Sequence, residues 1–406
     1  MKIYQELRER NLIAQTTNDA ELEKLFNNGG EYVYIGFDAT ARSLHIGSLL
    51  QLIILKRLQN AGHKPILLIG GGTTMVGDPS GRSDMRQMLD TEEIDKNTEC
   101  FKKQFERFID FSDEKALIVN NADWLLNLSY LPFLREVGAH FNVNRMLSAE
   151  CYKLRMEKGL SFLELNYMIM QGFDFLALYE KYNCRIELGG DDQWSNILGG
   201  VDLVRKVRRK TVYGMTFNLL TTSEGIKMGK TQKGTIWLDA EMTSPYDLFQ
   251  YFRNVDDKDV IKCLKFLTFL PLDKIQEIDN WSCGRINEAK KILAYEVTKL
   301  VHGETTAQNI LESSEKIFSG TGGNSGMTTT EIRVDKCLSI IDILLAIKFV
   351  TTKSEGRRLI QSGGIYMNDN RVDDFELMIN PADFLSDDIV IRKGKKSYHK
   401  IKILSA

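Results

Sequence analysis

The chain has 406 residues, a formal charge of −2, 43% hydrophobic and 27% charged residues and 6 prolines. That is a globular composition in too long a chain for one core, so roughly two to four domains are expected, disorder and collagen are excluded, and the net charge leaves nucleic-acid binding to local basic clusters. Six cysteines without a C-x-x-C pair argue against a disulfide framework or a structural zinc site, and a charged N-terminus with no later bilayer-length apolar stretch argues against secretion and membrane insertion. A cytoplasmic location is the expectation.

From Tyr32 the run YVYIGF predicts a strand, and a helix follows from His45, with Ile46, Leu49, Leu50, Ile53 and Leu58 on one face and Gly62 at its end. The apolar runs PILLIGG, ALIVNN, CRIELGG and TFNLL then alternate with helical segments, the pattern of an α/β fold with a parallel sheet. Ligands of such sheets bind beyond the carboxyl ends of the strands, so residues 1–220 are expected to form a catalytic domain. Residues of about 120–160, including YLPFLREVGAHFNVNRML, interrupt the sheet and mix apolar with basic side chains. Arg205, Lys206, Arg208, Arg209 and Lys210 are either a guide for a nucleic acid or an exposed helix end. Residues 221–243 form a loop and connection, and residues 244–318 read as helical, for example RINEAKKILAYEVTKLVHG. Residues 319–335 open with the linker composition SGTGGNSGMTTT, and 336–406 form a small module. In that module SEGRRLIQSGGIYMNDNRV joins a basic helix to a glycine turn and a short strand. The tail RKGKKSYHK carries five cations besides His399, which suits a phosphate backbone or a solvated face.

Two segments carry candidate chemistry. Gly36 to Ser48 lies between a strand and a helix N-terminus, where backbone amides and the helix dipole attract anions; Gly47 permits close approach, and Thr40 and His45 can donate to phosphate oxygens. A plain strand-to-helix turn with a capping histidine reads the same. Downstream, Lys227-Met228-Gly229-Lys230-Thr231 places two lysines three residues apart, able to grip a polyphosphate or to form a solvated loop. Gly225-x-x-x-Gly229-Lys230-Thr231 is one residue short of the Walker spacing, which rejects a P-loop. Tyr167, Gln171 and Asp174, four and three residues apart, share one helix face, and Gln and Asp are unusual in a packing stripe.

His45-Ile46-Gly47-Ser48 and Lys227-Met228-Gly229-Lys230-Thr231 resemble the paired signatures of class I aminoacyl-tRNA synthetases, usually written HIGH and KMSKS. YIGFDAT, GGGTTMVGDPSG, NYMIMQGFDF and GGDDQWSNI narrow the resemblance, over nearly the whole chain, to tyrosyl-tRNA synthetases of bacterial or organellar type. The resemblance implies a Rossmann-like catalytic domain, a helical anticodon-binding domain and an αL-type RNA-binding module of α+β construction. It implies activation of L-tyrosine with ATP to tyrosyl-adenylate and transfer to tRNA(Tyr), with Mg²⁺ brought by ATP rather than held by protein ligands. Tyr34 and Asp174 would meet the phenol hydroxyl, and Asp78, Tyr167 and Gln171 the ammonium. Asp192 and Gln193 would lie near the ribose and the tyrosine, and Gly36, Asp38, Gly47, Ser48, Gly190 and Lys230 would serve ATP; Asp191 would be peripheral. Thr40, His45, Lys227 and Lys230 would neutralise charge on departing pyrophosphate. The 120–160 insertion would form a homodimer contact.

Two positions depart from the family pattern. Ser48 stands where the first signature has a second histidine, and Ala39 where a proline is common. A serine hydroxyl bonds a nucleotide without charge, so weaker contact at that position is expected. A tryptophanyl enzyme shares the fold, but an indole would leave Tyr34 and Asp174 unsatisfied. A binding protein without catalysis would not need His45, Lys227 and Lys230, and a nucleotidyltransferase without tRNA would leave the C-terminal half without a purpose.

Overall fold

The computed structural model describes residues 2–81, 84, 86, 88–231, 234–281, 283–319, 329–333, 338–368, 370–379, 389–394 and 397–404. Contacts divide the chain into two compact units, residues 1–243 with 251–301, and residues 244–250 with 302–406.

Six strands of the first unit, β1 (Ile13–Thr16), β2 (Tyr32–Phe37), β3 (Lys64–Ile69), β4 (Leu117–Asn120), β5 (Ile186–Gly190) and β6 (Tyr213–Phe217), form one sheet in the order β1-β6-β5-β2-β3-β4. The strands from β6 to β4 run parallel, because each is joined to the next through helical crossovers. β1 is antiparallel to β6, so the sheet is mixed rather than wholly parallel. Its four residues are half-buried throughout and carry no apolar alternation, which is why the pattern of apolar runs passes over it.

Chain order runs outward from β2 through β3 to β4, then returns to place β5 on the other side of β2. This reversal is a topological switch point, where parallel sheets open a crevice. β2 and β5 share two registered pairs, Val33 with Ile186 and Tyr34 with Glu187. Beyond them both strands continue toward their carboxyl ends without pairing to each other.

Three helices cover the sheet: α1 (Ile46–Asn60), α2 (Phe162–Tyr182) and α3 (Trp194–Arg208). α1 buries Leu49, Leu50, Leu52, Ile53, Ile54, Leu55 and Leu58, nearly its whole circumference. Each such side chain removed from water contributes about 1.5–3 kcal/mol. Tyr34, Ile66 and Leu68 pack with Phe175 and Leu178 of α2 and with Leu203 and Val204 of α3. At the start of α2, Ser161 Oγ accepts from Glu164 N at 3.2 Å and Glu164 Oε2 accepts from Ser161 N at 3.0 Å, satisfying two orphan amides reciprocally. The insertion before α2 consists of short helices, Ala122–Leu125, Tyr130–Glu136, Val143–Leu147 and Glu150–Lys158.

Residues 244–318 contain no strand among their described residues, and their longest helices are Ile286–His302 and Glu304–Ser319. In the second unit a five-stranded sheet follows the order Asn370–Arg371, Ile365–Met367, Ile389–Lys393, Ser397–Leu404 and Thr329–Arg333. Helices Ile340–Ala346 and Lys353–Gln361 bury Ile340, Ile343, Leu344 and Ile360 with Ile365, Ile389 and Ile391. This is the expected α+β module. Thr329–Arg333 pairs in parallel with the last strand, so this part of the glycine-rich stretch is sheet rather than linker. Its β-branched residues favour an extended backbone, whatever the composition before them. Residues 320–328 and 334–335, the rest of the expected linker, lie outside the described residues, as do Lys395 and Lys396 of the basic tail.

Candidate active site

β2 and β5 end at the switch point, β5 on Gly189 and Gly190, and a glycine-rich turn follows the neighbouring β3. After β3, glycines make room for polar side chains: a Cβ on Gly70 would stand 2.2 Å from Asp38 Oδ1, and one on Gly71 2.3 Å from Asn120 Oδ1. Asp38 Oδ1 accepts from Thr73 Oγ1 at 2.8 Å and its Oδ2 from Tyr167 Oη at 3.0 Å. Asn121 Nδ2 donates both to Thr73 Oγ1 at 3.0 Å and to Asp174 Oδ2 at 2.9 Å, and Trp124 Nε1 donates to Asp174 Oδ1 at 2.7 Å. One network therefore runs from Asp38 to Asp174.

α2 supplies Tyr167, Gln171 and Asp174 from a single face. Tyr34 lies against Phe175 of the same helix, ring centroids 5.3 Å apart. Gln171 Nε2 donates to Glu187 Oε1 at 3.0 Å. Asp78 accepts from Ser80 N at 2.9 Å and from Gln193 Nε2 at 2.8 Å. Asp174 is 2% exposed and Glu187 1%. Burial pushes Asp174 up to about 8, against the hydrogen bonds from Asn121 and Trp124, and pushes Glu187 up to about 7. Burial likewise raises Asp38 and Asp78, with the Arg86 guanidinium pulling both back. Asp38 and Asp78 thus stand near one described arginine, and a cation beside them favours their charged forms.

Tyr34 Oη and Glu187 Oε2 are buried and neither has a partner in hydrogen-bonding geometry among the described residues. The carboxyl is still near enough to add to the rise that burial gives the phenol. Gln171 Oε1 is also buried and unpartnered. Unpaired buried polar atoms are uncommon, and three of them stand on residues of this region.

Beside this pocket begins α1. His45 caps it, Nδ1 accepting from Ser48 N at 3.3 Å, and a Cβ on Gly47 would stand 2.7 Å from His45 Cε1. The imidazole lies over Gly47, so only glycine fits there. His45 and Thr40 are exposed, whereas Ser48 is 9% exposed. In the lysine loop Gly225 and Gly229 take φ of +83° and +86°. Gly229 N donates to Tyr251 Oη at 2.9 Å, and Lys227 Nζ pairs with Asp192 Oδ2 at 2.8 Å. Gly190 is hemmed by Leu219 and Asp192. Lys230 lies in a short strand, Lys230–Thr231, and its side chain is outside the described residues. Asp191 accepts from Gln15 and Thr216 and ties β1 to the sheet. Among the described residues no cluster of His, Cys, Asp or Glu could hold a metal ion.

Asp38 with Tyr167, Asp78 with Gln193, and Gln171 with Glu187 are joined by hydrogen bonds, Tyr34 and Asp174 lie close enough to these carboxyls to be shifted by them, and Lys227 pairs with Asp192. Glu187, Asn121, Trp124 and Arg86 belong to this surrounding and were not singled out from the sequence. Asn121 and Trp124 follow on β4, at the carboxyl end of a parallel strand, the side on which such sheets bind ligands.

The family model for class I tRNA synthetases (W and Y) matches residues 28–319, and that for the tyrosine–tRNA ligase SYY-like C-terminal domain matches residues 321–401. The chain is 54% identical over 405 residues to the tyrosine–tRNA ligase of Acetivibrio thermocellus, covering 99% of each chain. It is 56% identical over 403 residues to tyrosine–tRNA ligase 1 of Clostridium acetobutylicum, again covering 99% of each. Among solved structures, a C-terminally truncated Aspergillus nidulans mitochondrial tyrosyl-tRNA synthetase superposes with a TM-score of 0.69 at 30% identity, over 78% of this chain and 94% of that one.

Proposed function

The chain belongs to the bacterial-type tyrosine–tRNA ligase family of class I tRNA synthetases, and from that premise we propose how its own residues carry the reaction. The activity is ATP-dependent ligation of tyrosine to tRNA. Tyrosine enters the pocket with its phenol hydroxyl between Tyr34 and Asp174. Phenylalanine leaves the buried Tyr34 hydroxyl without a partner, which is costly, and gives Asp174 nothing beyond its bonds to Asn121 and Trp124. The ammonium sits among Asp78, Tyr167 and Gln171, where the raised carboxyls of Asp38 and Asp78 favour a cation. Asp192 takes the ribose and Gln193 lies between ribose and tyrosine, with Gly36, Asp38, Gly47, Ser48 and Gly190 shaping the nucleotide site.

No protein nucleophile is needed. The tyrosine carboxylate attacks the α-phosphate, and the enzyme holds the two in line and stabilises the charge passing to pyrophosphate. Thr40 and His45 act from the start of α1, Lys227 and Lys230 from the opposite loop, and Mg²⁺ arrives with ATP. Residues 1–220 serve as the catalytic domain, 221–243 as the signature loop, 244–318 as the anticodon reader and 336–406 as an RNA-binding module, in a cytoplasmic homodimer joined through residues 120–160.

The observation that carries this reading is the confluence at the switch point of Tyr34, Asp174, Tyr167 and Gln171 beside the His45-capped helix. Pyrophosphate exchange into ATP with each of the twenty amino acids tests it. Exchange dependent on tyrosine and absent with phenylalanine and tryptophan supports the pocket. Tryptophan-dependent exchange overturns the roles of Tyr34 and Asp174, and no exchange at all overturns the catalytic assignments.

A further inference from the structure

Glu187 is a buried acid on a central strand that the roles above do not use. It stands in register with Tyr34 across the last shared pair of β2 and β5, at the floor of the crevice. Gly200 of α3 leaves room for it, since a Cβ there would come within 3.3 Å of Glu187 Oε2. Its Oε1 accepts from Gln171 Nε2 at 3.0 Å. The amide nitrogen of a glutamine is donor-only and its oxygen acceptor-only, and Glu187 Oε1 engages the nitrogen. Gln171 Oε1 is thereby turned away, buried and without a partner among the described residues.

We propose that Glu187 is a positioning residue that locks the Gln171 amide with its oxygen toward the pocket, making Gln171 an acceptor dedicated to the substrate's ammonium. The inference rests on the proposed placement of the ammonium at Gln171. Without the lock the amide rotates, and half of its orientations present an N–H to the cation. Selectivity for an amine over the same molecule lacking one is therefore set from behind the pocket, by a carboxyl that touches no substrate atom. Glutamine at 187 keeps the lock in part, because its amide can accept from Gln171 Nε2 or donate to Gln171 Oε1. An apolar side chain abolishes it.

The test compares dissociation constants of L-tyrosine and 3-(4-hydroxyphenyl)propionate, which differ only in the ammonium, for wild type, Glu187→Met and Glu187→Gln, with melting temperatures and the KM for ATP alongside. Wild type prefers tyrosine; Glu187→Met loses about tenfold of that preference, as expected when one buried hydrogen bond to a charge is spoiled. Glu187→Gln gives a preference between those of wild type and Glu187→Met, and the KM for ATP follows wild type in both variants. If methionine at 187 unfolds the chain, Glu187→Thr, polar but too short to reach the amide, is read in the same way. A Glu187→Met protein, or Glu187→Thr in its place, that keeps the wild-type preference or weakens both ligands equally overturns the proposal and leaves the pocket standing. A wild-type protein without preference for tyrosine over the propionate overturns the ammonium placement itself.

Discussion

Asp174 has both carboxyl oxygens engaged by protein donors and is pushed up to about 8 by burial, from an ordinary value of 3.8. Between those values the native state holds a proton that the unfolded chain releases, so stability falls as pH rises through the window. Glu187 adds the same sign up to about pH 7. Melting temperatures of the ligand-free protein between pH 5 and 8.5 are expected to fall with pH, and less steeply in Asp174→Asn; equal slopes would remove Asp174 from this role. Charge works differently in the signature loop. Lys230→Ala is expected to slow tyrosyl-adenylate formation in single turnover by about 10²-fold with tyrosine affinity little changed, because the charge it meets exists only on the reacting phosphates. A tenfold loss of tyrosine binding with normal turnover would refute that. Tyr167, Gln171 and Asp174 were legible in the sequence because helical periodicity alone sets them on one face. Glu187 was not: an acid within IELGG reads as a solvent-facing strand position until strand order shows β5 to be central and buried along its whole length.

Elements place these groups through a few local devices. The His45 cap and the bare backbone of Gly47 set the entry of α1. Gly47→Ala drives a methyl into the imidazole, so pyrophosphate exchange should fall about tenfold or more through a higher KM for ATP. The helix keeps its buried face, and circular dichroism should be unchanged; a normal KM would show that the imidazole is not placed by this turn. A second device anchors the same helix at its far end. Glu6 pairs with Arg10 at 2.8 Å and also with Arg57 of α1, while Arg10 donates to the carbonyls of Lys265 and Leu270. Burial, with the neighbouring Arg10, holds Arg57 down to about 10. Glu6→Ala leaves two buried guanidinium groups without their carboxylate, and we expect a loss of about 3 kcal/mol in urea denaturation. A loss below about 0.5 kcal/mol, the usual effect of a surface change, would mean that the carbonyls suffice. Neither Glu6 nor Arg57 was legible in sequence, since their partnership is a long-range product of folding. Apolar runs announced β2, β3 and β5 for the opposite reason, as burial is written into each run by itself; β4 is half-buried throughout, and β6 begins three residues before the run TFNLL.

At the scale of the whole molecule, the apolar surface is unevenly spread. Seven of the eleven exposed large apolar side chains among the described residues fall between Leu126 and Leu163, with Leu131 74% exposed and Phe162 67%. The short helices of the insertion are the segment already suspected from its mixed composition, but the sequence alone did not tell which side chains face outward. Apolar exposure concentrated in one segment marks an interaction surface. A second copy of the chain is the partner proposed above, and in an isologous contact every exposed side chain would recur on both sides of the axis. Burying one Leu or Phe is worth about 1.5–3 kcal/mol, and two copies of each meet in a symmetric dimer. Replacing both Leu131 and Phe162 by Asp removes that contribution and places like charges across the axis. Wild type at micromolar concentration should therefore sediment at about twice the chain mass, and Leu131→Asp/Phe162→Asp as a monomer, its dissociation constant raised by at least about 10³-fold. A wild-type monomer would overturn the assignment of this surface. A variant that stays dimeric would move the contact elsewhere on the chain and leave the exposed apolar face to another partner.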